Sequence, residues 1–261
     1  MLASKRPIFL RAQWRYLLMV SWEISPEVLL PLVPGGTELD FFDGRTFVSV
    51  VGFRFLSTRV VGIPMLFHRN FDEVNLRFYV RRIESDGEVR RGVVFIREVV
   101  PRRAIAWMAK FAYNEPYAAC SMRSTVPAGL SESVGRVSYR WRAGAEWEEV
   151  AATAVGEAKQ PSANSLTAFI AEHYWGYTRQ RDGRTIEYAV EHPRWRVWDV
   201  EEAGVSAGVG AFYGSPFDGV LAAAPCSALV AEGSEVIVRR PRMLSADFRG
   251  RISPDAGTGA C

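Results

Sequence analysis

Glu73, Asn75, Arg77 and Tyr79 occupy every second position of Asn70-Phe71-Asp72-Glu73-Val74-Asn75-Leu76-Arg77-Phe78-Tyr79-Val80, and an Arg97-Glu98 pair follows within Gly92-Val93-Val94-Phe95-Ile96-Arg97-Glu98-Val99-Val100. Side chains on a strand point alternately to opposite faces, so a carboxylate, an amide, a guanidinium and a phenol share one face. Val74, Leu76, Phe78 and Val80 form the other face, which reads as core. Acid, amide and guanidinium on one surface are the groups that move a proton and hold an anionic or carbonyl ligand.

The two strands must be held by the segment between them, Glu84-Ser85-Asp86-Gly87-Glu88. Asp-Gly between strand-like runs predicts a hairpin, because a type I′ turn needs positive φ at both central residues. A two-residue loop sets Asn75 opposite Glu98, with Glu73 and Arg77 as diagonal neighbours. A loop one residue longer puts Arg97 there instead and turns Glu98 to the core. The returning strand is apolar on both faces, as a strand covered on both sides is, and an unpaired charge there is costly. Arg97 and Glu98 therefore need partners, either in an ion-pair network that fixes the sheet or in the polar lining of a curled sheet's hollow.

Other elements follow from turn and cap chemistry. Ser25-Pro26 opens a short helix that ends by Pro34-Gly35-Gly36. Residues 38 to 42 and 45 to 56 flank a second Asp-Gly pair, Asp43-Gly44, and Arg181-Asp182-Gly183-Arg184 is a third, joining residues 174 to 177 to residues 186 to 190. Pro101 can start a helix through Ala112, with Lys110 opposite its apolar stripe. Residues 134 to 142 alternate strictly and predict an outer strand with one wet face, paired with the Ala-rich residues 150 to 158. Ser162 or Asn164 can cap a helix carrying Leu166, Phe169, Ile170 and His173. Residues 235 to 238 predict a last strand. Antiparallel pairing dominates, with no strand-helix alternation of the parallel kind and no repeat. The expectation is a single domain over residues 1 to 244 and a flexible tail over residues 245 to 261.

Composition narrows the function classes. The 261 residues, 48% hydrophobic and 23% charged, are those of a globular domain able to bury a sizeable core. A net charge of +3, with basic residues scattered among acids, does not provide a patch that tracks phosphates, so nucleic-acid binding is not expected. Cys120, Cys226 and Cys261 lack CxxC spacing, which fits neither a disulfide framework nor a zinc site and suits a reducing compartment. With no long apolar run, the expected location is the cytoplasm, away from membranes. His68, His173 and His192 have no metal-type spacing, and no phosphate loop or serine elbow occurs, so neither a metal site nor a cofactor is expected. His173 in Glu172-His173-Tyr174-Trp175, and His68 beside Arg69, can edge a pocket.

The Asn70 to Val80 and Gly92 to Glu98 stretches, together with Glu115-Pro116-Tyr117, resemble the uncharacterised family called domain of unknown function 2071. Phe9-Leu10-Arg11-Ala12-Gln13-Trp14-Arg15, Pro34-Gly35-Gly36-Thr37-Glu38-Leu39-Asp40 and Glu172-His173-Tyr174-Trp175-Gly176-Tyr177 extend the resemblance to about residues 7 to 244. That family is similar in fold to acetoacetate decarboxylase. The resemblance implies an α+β fold: a mainly antiparallel sheet curled into a cone or barrel around a central pocket, with a few short helices outside. In the decarboxylase a lysine in an apolar pocket forms a Schiff base with a β-keto acid, while an arginine and a glutamate handle the carboxylate. Arg97-Glu98 looks like that Arg-Glu pair. The lysine spacing does not match: Val99-Val100-Pro101-Arg102-Arg103-Ala104 follows, and the first lysine is Lys110.

Two readings result. In the first, the cone binds a small carboxylate or keto compound as a decarboxylase-like lyase or a hydrolase. Its candidate catalytic residues are Glu73, Glu98 and Lys110, and its candidate ligand-binding residues are Asn75, Arg77, Tyr79, Arg97, His68 and His173. In the second, the domain binds a ligand or partner without catalysis, with Trp14, Tyr113, Tyr117, Tyr174 and Trp175 lining an apolar pocket. The partners either reading admits are a small molecule and a second copy of the chain in a homo-oligomer.

Overall fold

Long two-sided strands dominate the chain. The computed structural model describes residues 6–64, 69–101, 116–127 and 135–244. Its strands are β1 (Ile8–Ile24), β2 (Glu38–Leu39), β3 (Thr46–Val60), β4 (Ile63–Pro64), β5 (Phe71–Ile83), β6 (Val89–Pro101), β7 (Tyr117–Cys120) and β8 (Met122–Thr125). They continue with β9 (Gly135–Ala143), β10 (Glu146–Lys159), β11 (Trp175–Arg179), β12 (Thr185–Glu191), β13 (Val197–Val205), β14 (Ser227–Arg239) and β15 (Arg242–Met243). Among the described residues four short α-helices accompany them: α1 (Pro26–Leu29), α2 (Leu166–Ala171), α3 (Val209–Tyr213) and α4 (Phe217–Ala222).

Seven strands close a ring in the order β12-β11-β6-β5-β3-β1-β14, sealed where β12 meets β14 through Val190↔Val238 and Glu191↔Ile237. All neighbours in the ring are antiparallel except β6 and β11, and β7 also lies parallel to β6. The sheet continues from β14 through β13, β10 and β9 to β8. This extension covers the outside of the ring: the Tyr139 ring lies over Gly52, where a Cβ would come within 2.4 Å of it, and the Tyr139 hydroxyl donates to the Tyr16 carbonyl at 2.8 Å. Two buried clusters result. Leu18, Val20, Val50, Val74, Leu76 and Phe78 pack with Tyr139 and Trp141 between ring and cover, whereas Leu17, Met19, Val51, Phe53, Phe55 and Val93 belong to the cluster inside the ring. That arrangement explains strands apolar on both faces.

Several expectations are revised. Of the three Asp-Gly turns only Asp43-Gly44 is a two-residue turn with both φ positive, at 48° and 73°. At 85–87 and 181–183 the loops hold three residues, closed by Glu84 N–H to Glu88 O and Gln180 N–H to Arg184 O. In both, the aspartate side chain accepts from the N–H two residues on (Asp86 Oδ1 from Glu88, Asp182 Oδ1 from Arg184, each 3.0 Å), and only the glycine takes positive φ. That local bond competes with the I′ geometry. The residues before Asp43 do not form a hairpin with β3: β2 crosses to pair with β5 through Glu38↔Arg81 and Leu39↔Val80. The cap of α2 is Ser165, accepting from Ala168 N–H at 3.1 Å, rather than Ser162 or Asn164. The last long strand begins at Ser227, and Pro101 ends β6 paired with Cys120. The helix expected through Ala112 and the tail from residue 245 lie outside the described residues.

Candidate functional site

The inner face of β5 carries Glu73, Asn75, Arg77 and Tyr79 into the ring, because Val74, Leu76, Phe78 and Val80 on its other face belong to the packed layer beneath the cover. Asn75 pairs with Glu98. The path to that register is indirect: the longer loop at 85–87 shifts β6 by one residue, and a bulge undoes the shift, since Arg77 opposes Phe95 while Leu76 opposes Arg97. Ile96 is the extra residue. Phe95 and Glu98 thus line the interior, and Ile96 and Arg97 are two consecutive residues turned toward the outer layer. Arg97 donates to the Phe212 carbonyl of α3 and lies 5.0 Å from the Phe212 ring centroid.

The ring encloses a cavity of about 130 Å³. Its walls are mainly aromatic and aliphatic, including Phe9, Trp14, Val51, Phe53, Phe55 and Phe95. Among the described residues, the polar side chains on it include Glu73, Asn75, Arg77, Glu98, Tyr117, His173, Tyr188 and Arg239. Of the sequence candidates, Glu73, Asn75, Arg77, Glu98 and His173 meet on this cavity. Tyr79 and Arg97 do not. The Tyr79 hydroxyl is shared with Ser49 Oγ at 2.6 Å, which in turn bonds Ser21 Oγ at 2.7 Å. Its ring packs against His173 and Phe169, with centroids 4.6 and 5.3 Å away. Lys110 and His68 lie outside the described residues, and Lys159 pairs with Asp199 on the surface at 2.5 Å.

Asn75 Nδ2 donates to Glu73 Oε1 at 3.1 Å, and Asn75 Oδ1 is buried without a hydrogen-bond partner among the described residues. Arg77 donates from Nη2 to the Ile170 carbonyl at 3.1 Å, which ties the guanidinium to α2, while its Nε is buried and unsatisfied. No carboxylate of the described residues lies within ion-pair distance of Arg77. By contrast Arg239 is held by both Glu191 oxygens at 2.8 Å.

Asp40, just after β2, is the residue the sequence reading did not single out. Its Oδ2 accepts from Arg91 Nε at 2.7 Å and lies 3.3 Å from His173 Nε2. Burial would raise the Asp40 carboxyl, but the hydrogen bonds from His173 and Arg91 outweigh it and hold it below its ordinary range. With the carboxylate accepting at Nε2, the imidazole carries its proton there and presents Nδ1 as a bare acceptor. The only sequence signal for Asp40 was its place in the Pro34 to Asp40 motif, since its partner stands 133 residues away.

Burial lowers the pKa of His173 to about 4, and the hydrogen bond to Asp40 only partly offsets this. His192, stacked on Trp195 at 3.9 Å, is likewise lowered to about 4 by burial. Between the ordinary value of 6.5 and about 4 the unfolded chain binds protons that these rings do not, so stability falls as the solution is acidified. From pH 6.5 to 5.5 the two imidazoles together should remove about 2 kcal/mol. Denaturant titrations across that interval check this, and His192→Gln should roughly halve the histidine-linked part of the slope.

With this geometry the chain can be set beside known proteins. Its fold is that of the acetoacetate decarboxylase-like proteins. Acetoacetate decarboxylase from Legionella pneumophila superposes over 91% of this chain and 87% of its own with a TM-score of 0.61 at 11% identity. An acetoacetate decarboxylase-like enzyme from Sphingomonas wittichii RW1 covers 90% of this chain and 93% of its own, with a TM-score of 0.59 at 15% identity. The enduracididine biosynthesis enzyme MppR, in complex with pyruvate, covers 92% and 91%, with the same TM-score and identity. Residues 11–235 match the model of domain of unknown function 2071, described as an uncharacterized conserved protein, and the chain belongs to that family. The uncharacterized protein YqjF of Bacillus subtilis strain 168 is 25% identical over 195 residues, 74% of this chain and 76% of its own.

Proposed function

We propose that the ring interior binds a small carboxylate or keto compound, with its anionic end at Arg77 and its carbon chain against Phe53, Phe55, Phe95 and Trp14. The observation that carries this reading is Arg77 itself: a guanidinium on the cavity, positioned by the Ile170 carbonyl and without a carboxylate counter-ion among the described residues. Such a charge in a mostly apolar enclosure favours an anion that brings the missing partner. The size agrees, because a protein cavity of about 150 Å³ accommodates benzene, so about 130 Å³ suits a ligand of a few carbon atoms. MppR bound to pyruvate supports the same class by analogy of fold.

Glu73 and Glu98 flank Asn75 and are the groups in this proposal that would exchange a proton with a bound carbonyl compound. No described residue on the cavity is a lysine, so a Schiff-base route would rest on Lys110. A cytoplasmic site of action, the expectation from the cysteine spacing, belongs to the same proposal.

Thermal unfolding with pyruvate, acetoacetate, propionate and butyrate tests the binding. At a hundredfold excess over Kd a ligand adds about 2.7 kcal/mol, or several degrees of Tm for a chain of this size. Arg77→Met should weaken the anions by roughly 10- to 100-fold while leaving the protein folded. No shift with any of the four, nor with lactate or 3-hydroxybutyrate, would refute the proposal. Release of carbon dioxide from acetoacetate, absent in Glu98→Gln, would assign lyase chemistry; a shift without turnover assigns binding alone.

A further inference from the structure

We infer that the ligand is a hydrogen-bond donor, a small hydroxy acid, and that the cavity selects it over plain carboxylates and keto acids of the same length. This rests on the proposed binding of a small anion at Arg77 and adds what must stand beside the carboxylate.

Two neutral groups on the cavity are acceptors without a partner among the described residues. Asn75 turns its amide nitrogen to Glu73 Oε1 at 3.1 Å, the orientation a carboxylate requires because it offers lone pairs alone. Asn75 Oδ1 is then left as a buried acceptor with no partner among the described residues. His173 faces Asp40 Oδ2 through Nε2 at 3.3 Å, which places the ring proton on that nitrogen and leaves Nδ1 as a second buried acceptor with no partner among the described residues. Arg91, bonded to the same Asp40 oxygen at 2.7 Å, keeps the carboxylate in place. Both residues line one cavity, and Arg77 lies between Asn75 and Tyr79, on whose ring His173 packs.

Buried polar groups are almost always satisfied, so unmet acceptors on a cavity describe the complement of what enters it. A ketone or a carboxylate brings further acceptors and would leave Asn75 and His173 facing oxygen lone pairs. A hydroxyl brings a proton that either acceptor can take, while the carboxylate of the same molecule meets Arg77. Sites built to bond a hydroxyl discriminate strongly against analogues that lack it.

The test uses matched probes on the full chain at neutral pH: lactate, pyruvate and propionate, then 3-hydroxybutyrate, acetoacetate and butyrate, each measured by titration calorimetry. The expected result is at least about tenfold tighter binding of the hydroxy acid in one series than of its keto and plain partners. Asn75→Leu or His173→Phe should reduce that preference toward unity while Arg77 still retains the carboxylate. Equal affinities within both series would overturn this inference and leave the anion site standing. Binding of none of the six would overturn both. A preference that survives in both variants would overturn the assignment to these two acceptors. The comparison within the unmodified protein decides the main point even where a variant fails to fold.

Discussion

Glu187→Gln should destabilise the protein by about 3–5 kcal/mol, read as a lowered midpoint in urea unfolding at neutral pH. The Glu187 side chain is fully buried on β12. Around it stand Arg82 Nη1 at 3.0 Å, Arg90 Nη1 at 3.3 Å, Arg242 Nε at 2.8 Å and Arg6 Nη2 at 3.6 Å. Glu84 reaches Arg82 at 2.6 Å and Arg90 at 2.5 Å, but it cannot replace the charge at the centre. The glutamine keeps the volume and removes the charge, leaving two buried guanidiniums to share what remains. The location matters as much as the burial. The parallel junction of β6 and β11 has only Trp175↔Gly92 and Gly176↔Val93 in register, and this cluster ties the two hairpins across it. The surface pair Lys159–Asp199 offers the contrast: with both side chains about two-thirds exposed, Lys159→Ala should change stability by less than about 0.5 kcal/mol. A Glu187→Gln protein within about 1 kcal/mol of the parent would show that the arginines relax into water.

Gly233→Ala should cost about 3–4 kcal/mol and loosen the β1–β14 seam of the ring. Gly233 has φ of 80°, and a Cβ there would lie 2.0 Å from the Trp14 carbonyl oxygen and 2.9 Å from Leu17 Cδ1. The first contact is with backbone, which cannot swing aside as a side chain can. Its partner across the seam is Arg15, whose Nη1 also donates to the Gly233 carbonyl at 2.8 Å. Gly183 has nearly the same φ, 83°, but a Cβ there has open space, so Gly183→Ala should cost only the local strain of about 1–2 kcal/mol. Thermal unfolding of the two variants side by side separates dihedral strain from the steric term. Equal losses would mean that β1 shifts freely against β14.

The parts of the fold legible in the sequence were those whose signal is local. The alternation of β5 placed Glu73, Asn75 and Arg77 on one face, the strict alternation of β9 gave it a wet face, and the third Asp-Gly pair placed the β11–β12 hairpin. The longest strand, β1, was seen only as a motif. Arg15 and Tyr16 break its alternation where the β1–β3 register shifts and Tyr16 takes φ of 54°, so Leu17 falls inside the ring and Leu18 outside. A period-2 pattern does not survive such a bulge. The β2 pairing with β5, the closure of the ring and the Asp40–His173 contact join residues far apart in the chain, and nothing short-range marks them. Tyr79 shared the inner face as its position required, yet its hydroxyl was taken by Ser49, a partner that side-chain type alone does not announce.

The residue at position 96 has a consequence for comparing this chain with its relatives. Because it absorbs the offset that the longer tip at 85–87 introduces, the distal end of the hairpin and the alignment of Asn75 with Glu98 are insulated from each other. A homologue with a tighter tip would keep the same two groups face to face only by dispensing with the spacer. Counting residues from the turn, without regard to that compensation, would match Glu98 to the wrong neighbour even where every strand is conserved in space.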